Sequence, residues 1–239
     1  MISQKNIQRI KEIGIEIDHQ IAFGGKSKGN KHLFRVVKIA DHLAKKMKAD
    51  ARIVQAGAWL HDTALPSGND YDYKKNKRIV QKILSSVPIS KGDKNLIAEC
   101  VASHEGTEGP KTLEARVVHD ADVLEKVGLL GLIRHTWKLT NSDKINPSAV
   151  KDGDVKKIVD HIAWRRKKLQ TPAAKSIEKY LAIPISERDA KKIISISSKL
   201  ASRGIITEKI AKILYEHLNQ KQGEKLKKQL NLAYLKKFK

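Results

Sequence analysis

Apolar residues recur along the chain at the three- and four-residue spacing of an α-helix, and no segment alternates convincingly as a strand would. The clearest helical stripes lie within residues 33–44, 79–87, 96–101 and 117–127. Further helices are expected at residues 155–168, 172–182, 187–203 and 208–218. The pattern therefore predicts an all-α fold.

Polar residues at the ends of these stripes predict helix caps. Asp93, Thr112 and Ser186 are candidate N-caps, and Gly204 suits the position that follows a helix C-terminus. Loops are expected at residues 66–70, 106–110 and 146–147, where glycine, proline and asparagine cluster.

A composition change near residues 183–186 predicts a boundary between a main domain, residues 1–184, and a basic helical C-terminal extension, residues 185–239. The extension ends in an amphipathic stretch whose apolar positions are Leu226, Leu230, Ala233 and Tyr234. Such a face is expected to dock on the main domain or to form a homodimer with a second chain. Binding to an anionic surface is the alternative.

The net charge of the chain limits the classes of binding partner that are expected. The 239 residues include 48 Lys and Arg against 26 Asp and Glu, a formal net charge of +22, whereas residues 101–150 hold 6 basic and 7 acidic residues. A strongly positive chain favours polyanionic partners such as phosphate esters, nucleotides or nucleic acid. A single cysteine, Cys100, excludes an intrachain disulfide, and no apolar run is long enough to span a membrane. These features, with an N-terminus unlike a signal peptide, predict a cytoplasmic protein.

Histidines and aspartates are arranged as a candidate metal-ligand set. His32 begins one predicted helix, the His61-Asp62 pair ends a second, and the run His119-Asp120-Ala121-Asp122 lies in a third. An isolated pair of this kind is more often structural, but nitrogen and oxygen donors on three helices suit a divalent transition metal or Mg²⁺.

Four motifs, in this order, resemble the HD-domain metal-dependent phosphohydrolases: His32 in KHLFRVVKIA, His61-Asp62 in AGAWLHDTA, His104 in VASHEG and Asp122 in VVHDADVLEKVGLLG. The resemblance covers about residues 20–170 and implies an HD-type helical bundle. It implies the metal ligands His32, His61, Asp62 and Asp122. Asp120 and Asp122 are two positions apart on a helix and point in different directions, so both are not expected to reach one ion.

The resemblance also implies roles for residues beside the metal. His104 is expected to contact the substrate phosphate or a second metal, and it is otherwise a helix-capping histidine. Arg35, one turn after His32, suits a phosphoryl oxygen unless it is exposed, and Arg134 is a weaker candidate. His119 is expected at the surface or beside the ligands. No lysine follows the His61-Asp62 pair closely, which leaves the subfamily open.

The sequence therefore predicts a phosphohydrolase that uses Mn, Fe, Ni, Co or Mg and cleaves a phosphomonoester or phosphodiester, in particular of a nucleotide. Asp62, His104 and Arg35 are its predicted catalytic residues. The alternative is a nucleic-acid-binding protein, or a nuclease, in which basic runs such as Arg165 to Lys168 contact phosphates. A kinase, dehydrogenase or serine-esterase motif is not present.

Overall fold

The structure is a computed structural model that describes residues 2–27, 31–67, 70–105, 108–182 and 185–231. Its α-helices are α1 (Gln4–Glu16), α2 (His32–Met47), α3 (Ala51–Leu60), α4 (Tyr73–Ser85), α5 (Lys91–Ala102), α6 (Leu113–Glu125), α7 (Gly128–Asn141), α8 (Asp152–Lys167), α9 (Pro172–Leu181), α10 (Glu187–Ser202), α11 (Thr207–Tyr215) and α12 (Gln220–Asn231). A π-helix (Ile17–Ile21) and two 3₁₀ segments (Ala22–Gly25 and Leu65–Ser67) complete them. The described residues contain no strand, so the predicted all-α fold is confirmed. Among these helices, none combines the length and apolar character that a bilayer crossing requires.

Contacts between residues divide the chain into two compact units. The first comprises Met1–Asp122 and Leu169–Lys175, and the second comprises Val123–Lys168 and Ser176–Lys239. The boundary predicted at residue 184 lies outside the described residues and stays a prediction. The predicted extension lies in the same unit as α7 and α8, which the sequence assigned to the main domain.

The first unit is built around α3, which packs against α1, α2 and α5. Two glycines allow the helices to cross closely. A Cβ on Gly14 would lie 2.1 Å from the carbonyl oxygen of Trp59, and a Cβ on Gly57 would lie 2.5 Å from the Cβ of Cys100. Because Gly57 is one turn before His61, this close crossing brings the C-terminal ends of α3 and α5 together, and both ends carry candidate site residues.

The second unit is built around α7, which packs against α8, α10, α11 and α12. Buried polar groups tie these helices to it. The hydroxyl groups of Thr140 and Ser198 lie 2.8 Å apart, and the indole nitrogen of Trp137 donates to the carbonyl oxygen of Ile205 at 3.1 Å. The side-chain amide of Gln229 donates to Val127 O and accepts from Leu130 N, which fixes α12 at the start of α7.

Most predicted helix ends are confirmed. Thr112 and Ser186 accept backbone hydrogen bonds as N-caps, and Gly204 has a φ of 78° after α10. The assignment of Asp93 is wrong, since α5 begins earlier with Ser90 as its N-cap. Helix α8 begins at Asp152 rather than 155, because the Asp154 side chain accepts a hydrogen bond from Lys151 N at a polar first turn that apolar spacing does not register.

Candidate metal centre

Three helices of the first unit bring four side chains to one buried point. His32 is the first residue of α2, His61 caps the C-terminus of α3 with Asp62 directly after it, and Asp122 lies on α6. Nε2 of His32 lies 3.2 Å from Nε2 of His61 and 3.4 Å from both Asp62 Oδ2 and Asp122 Oδ1. His61 Nε2 lies 3.4 and 3.6 Å from the same two oxygens. All four side chains are buried.

Local hydrogen bonding determines which ring nitrogen of His61 faces this point. Its Nδ1 lies 2.8 Å from the carbonyl oxygen of Ala58, three residues earlier, and a carbonyl can only accept. Nδ1 therefore carries the proton of the neutral ring, and Nε2 presents a lone pair to the cluster. A C-terminal helical turn with an open carbonyl is what allows this bond.

The carboxylates and imidazoles shift one another's pKa values. Burial alone would raise the pKa of Asp62, but His61 and His32 outweigh it and hold the pKa well below its ordinary value. Burial would lower the pKa of His61, and the carboxylates of Asp62 and Asp122 outweigh it and raise the pKa. Asp62 is therefore an anion at neutral pH.

This donor set fits a divalent ion. Nε2 of His32 and Nε2 of His61 each lie within 3.6 Å of a carboxylate oxygen of Asp62 and of Asp122. The ligand atoms of His32, His61 and Asp62 lie within 4.8 Å of one another, close enough to hold one ion. Mixed nitrogen and oxygen donors without cysteine suit Mn²⁺, Fe²⁺, Co²⁺, Ni²⁺ or Mg²⁺ rather than a structural zinc.

His104 lies beside this cluster, at the end of α5. Its Nδ1 donates to the carbonyl oxygen of Val101 at 2.7 Å, and its buried Nε2 lies 3.8 Å from Asp62 Oδ1. Burial lowers the pKa of His104. The ring is therefore neutral and directs a lone pair towards the second oxygen of Asp62. The adjoining predicted loop includes residues 106 and 107, which lie outside the described residues.

Two buried carboxylates near His104 are not predicted by the sequence motifs. Glu105 Oε1 lies 3.7 Å from His104 Nε2, and Asp70 forms a candidate ligand group with Asp62 and His104. The carbonyl oxygen of Asp70 accepts a hydrogen bond from the buried amide of Asn76 at 2.5 Å. Glu105 could have been suspected from its position directly after a candidate histidine. Asp70 gave no such signal, because it lies in a stretch that indicates only a loop.

Residues 30–126 match the family model named HD domain, and this range holds all four converging side chains and His104. Over these residues the chain is consistent with the HD-domain family. HD domains bind divalent metals and are typical of metal-dependent hydrolases.

Two solved structures share the fold. The crystal structure of Bacillus subtilis YpgQ is 19% identical, covers 74% of this chain and 87% of its own, and has a TM-score of 0.55. A Lactobacillus plantarum crystal structure is 18% identical, covers 91% of this chain and 99% of its own, and has a TM-score of 0.56. At these identities the likeness concerns the fold alone. No curated protein matches the chain.

His119 and Asp120, which lie beside Asp122 on α6, have structural partners within the first unit. His119 is buried rather than at the surface, and its Nδ1 donates to the carbonyl oxygen of His104 at 2.6 Å. Asp120 accepts hydrogen bonds from the backbone nitrogens of Gln170 and Thr171 at 2.9 and 2.7 Å. Asp120 therefore binds the backbone at Gln170 and Thr171, whereas Asp122 lies beside His32 and His61.

The two arginine candidates differ in their surroundings. Arg35 lies one turn after His32 on α2 and is only 3% exposed. The alternative that its side chain is exposed is therefore wrong. Arg134, in the second unit, forms an ion pair with Glu125, with 3.5 Å between Nε and Oε2. Arg35 therefore remains the arginine for which a phosphate role is predicted.

Proposed function

We propose that this chain is a metal-dependent phosphohydrolase that cleaves phosphomonoesters or phosphodiesters, with nucleotides as the substrate class. The observation that supports it is the buried convergence of His32, His61, Asp62 and Asp122, in which the two imidazole Nε2 atoms lie 3.2 Å apart and each lies 3.4 to 3.6 Å from an oxygen of both carboxylates. A formal net charge of +22 favours encounter with such anionic substrates.

His32, His61, Asp62 and Asp122 would hold the ion, drawn from Mn²⁺, Fe²⁺, Ni²⁺, Co²⁺ and Mg²⁺. When bound, a divalent ion supplies Lewis acidity, which polarises a phosphoryl oxygen and acidifies water at neutral pH. His61 is ready for this role because its Nε2 lone pair is set by the bond from Nδ1 to Ala58 O.

Asp62 has two oxygens in two different environments. Oδ2 faces His32 and His61, while Oδ1 lies 3.8 Å from His104 Nε2. Asp62 can therefore bind the ion through Oδ2 and accept a proton from the attacking water at Oδ1. A carboxylate with a low pKa transfers that proton onward readily, and the neutral His104 offers the adjacent lone pair.

This geometry changes the expected role of His104. A neutral ring whose Nδ1 donates to Val101 has no proton at Nε2, so it cannot donate to a phosphoryl oxygen in that state. Its proposed role is to accept a proton and then, as imidazolium, to donate one to the departing oxygen. The fixed charge of Arg35 is the proposed partner of the phosphoryl oxygens.

The proposal is tested by metal analysis and a substrate screen on the wild-type chain and on Asp62→Asn. Both proteins are incubated with Mn²⁺ and dialysed, the metal content is measured, and hydrolysis of p-nitrophenyl phosphate, bis-p-nitrophenyl phosphate and nucleotides is followed. We expect Asp62→Asn to lose bound Mn²⁺ and at least 10²-fold of the activity, because it removes an anionic ligand and the proton acceptor together.

Asp160→Asn is the matched control, since it makes the same chemical change at a surface position paired with Lys156. It is expected to keep both metal and activity. Full activity in Asp62→Asn would show that the site is assigned to the wrong residues, and a wild-type chain that binds Mn²⁺ but cleaves no phosphate ester would contradict the function.

A further inference from the structure

The C-terminal half of α8, in the second unit, presents an unusual combination of cations and rings. Trp164 is 38% exposed, Arg166 and Lys167 are exposed, and Lys168 follows directly after the helix. The Nζ atom of Lys168 lies 5.2 Å from the centre of the Trp164 ring. We call Trp164, Lys167 and Lys168 the α8 surface.

Two histidine rings pack beside Trp164 of this surface. The rings of His135 on α7 and His161 on α8 are stacked, with centroids 4.1 Å apart and planes 5° apart, and the Trp164 ring is next in the row, 5.7 Å from His161. Buried Arg165 donates from Nε to His161 Nε2 at 2.9 Å, so His161 accepts and is neutral. The packing of the His135, His161 and Trp164 rings gives the Trp164 side chain a defined position on α8.

The surroundings of this row are positively charged. Burial, as the largest cause, together with the neighbouring His161 and the cations Lys138, Arg165 and Arg134, lowers the pKa of His135 to about 2. The charge of the surface therefore comes from arginine and lysine and not from His135. The second unit as a whole has 26 Lys and Arg against 11 Asp and Glu.

Carboxylates compensate only part of this charge. Glu125 lies 3.5 Å from Arg134, and Glu178 accepts from Arg166 at 2.5 Å. On the α8 surface itself, Lys167 and Lys168 are the cations that continue the basic run beyond Arg166.

We infer that the α8 surface binds single-stranded nucleic acid, with Lys167 and Lys168 contacting backbone phosphates and Trp164 contacting an unpaired base. Lysines attract phosphates without regard to sequence, and an exposed indole offers a face on which any base can stack. This binding is separate from the proposed hydrolytic site, because it uses none of its residues.

The arrangement favours nucleic acid over an anionic membrane. The two exposed large apolar side chains of α8 are Val159 and Trp164. Five positions separate them, which places them about 140° apart around the helix. They do not form the continuous apolar face that an interfacial helix inserts into lipid. A single aromatic ring among cations is instead the combination that a nucleotide unit can match.

The test measures fluorescence polarisation of a labelled 20-residue oligothymidylate with the full chain, from 25 to 300 mM salt. We expect the double variant Lys167→Gln, Lys168→Gln to bind about ten-fold more weakly at 100 mM salt. Its slope of log affinity against log salt should fall by about 1.4, because two phosphate contacts on a single strand contribute about 0.7 each. Trp164→Leu should cost about ten-fold, and Trp164→Phe should recover most of it.

The matched control is Arg78→Gln, Lys82→Gln, which removes two exposed charges one turn apart on α4. It should leave affinity within two-fold. An equal loss in this control would overturn the local site, since net charge alone would then explain binding.

Tighter binding of the wild-type chain to vesicles of 30% phosphatidylserine than to the oligonucleotide would also overturn it, as would no effect of Trp164→Leu. Circular dichroism of each variant separates these outcomes from misfolding. Asp62→Asn should bind the oligonucleotide normally, so failure of the hydrolytic proposal and failure of this one are distinguishable.

Discussion

At the residue scale, the two histidines that end α3 and α5 use the same local hydrogen bond. His61 donates to Ala58 O and His104 donates to Val101 O, each three residues earlier. The bond satisfies a carbonyl at the end of a helix and fixes the ring nitrogen that faces the site. Each ring is therefore oriented by its own helix, and the approach of α3 to α5 then decides the distance between them.

His119 is expected to position His104. Its Nδ1 donates to the carbonyl oxygen of His104, so His119→Leu leaves a buried carbonyl unsatisfied, at a cost of about 1–3 kcal/mol of unfolding free energy. Displacement of His104 should lower kcat about ten- to hundred-fold with little change in KM. Urea unfolding and steady-state kinetics measure both effects.

His119→Asn distinguishes positioning from loss of stability, because its side-chain amide restores a donor close to the position of Nδ1. It should recover much of the kcat that His119→Leu loses, and both variants should keep the Mn²⁺ content of the wild-type chain. A normal kcat in His119→Leu would mean that the carbonyl of His104 needs no fixed partner.

At the scale of elements, apolar spacing predicted the helices well because the stripes are the buried faces. Leu33, Val36, Ala40 and Leu43 of α2 are all buried at helical spacing. Helix α1 was not predicted, although Ile7 and Ile10 are buried, since its pattern is short and it is rich in polar residues. An acid before an apolar run predicts a cap at Asp93, whereas the side chain that accepts the capping hydrogen bond is that of Ser90, three residues earlier.

The site was predictable to the extent that its residues lie in local motifs. His32, His61, Asp62, His104 and Asp122 stand in such motifs, and the structure brings them together. Asp70 and the buried position of His119 depend on contacts between elements, namely Asn76 with Asp70 and His119 with His104. Neither contact leaves a periodic signal in the sequence.

The α7–α8 histidine pair is expected to make stability sensitive to acid. His135 has a pKa of about 2 in the folded chain against an ordinary value near 6.5 when unfolded. Below about pH 6.5 the unfolded state therefore binds a proton that the folded state does not, so stability is present at neutral pH and is lost as the pH falls.

Between pH 7 and 5.5 this contribution is about 1 kcal/mol. His135→Phe keeps a ring beside His161 and removes the group that titrates. Between pH 7 and 5.5 the unfolding free energy of this variant should therefore fall by about 1 kcal/mol less than that of the wild-type chain. The measurement is urea unfolding at both pH values. His217→Phe is the control, because it makes the same substitution at a histidine that is exposed. An unchanged pH dependence in His135→Phe would contradict the expected sign.

At the scale of the whole molecule, charge and contacts divide the chain differently from the predicted boundary at residue 184. The second unit carries a net +15 from its 26 basic and 11 acidic residues, and it includes α7 and α8 as well as the predicted extension. A composition change marks where charge increases along the chain. The change in composition does not reveal that α10, α11 and α12 all pack against α7.

A chain ending at residue 184 is therefore expected to fold poorly. Removal of residues 185–239 takes away the partners of Thr140 and Trp137 and the Gln229 amide that pairs with Val127 and Leu130. It also removes α10, α11 and α12, the three C-terminal helices that pack against the largely apolar and buried α7. Each lost buried polar partner costs about 1–3 kcal/mol, and the total approaches the whole stability of an ordinary domain.

We expect residues 1–184 to melt without cooperativity and to bind a dye specific for exposed apolar surface, whereas the full chain melts cooperatively. Thermal circular dichroism with dye fluorescence on both chains makes the comparison. A cooperative transition of residues 1–184 within a few degrees of the full chain would support residue 184 as a true domain boundary. In that case α7 would be stabilised by the residues before it, and the three C-terminal helices would be an accessory.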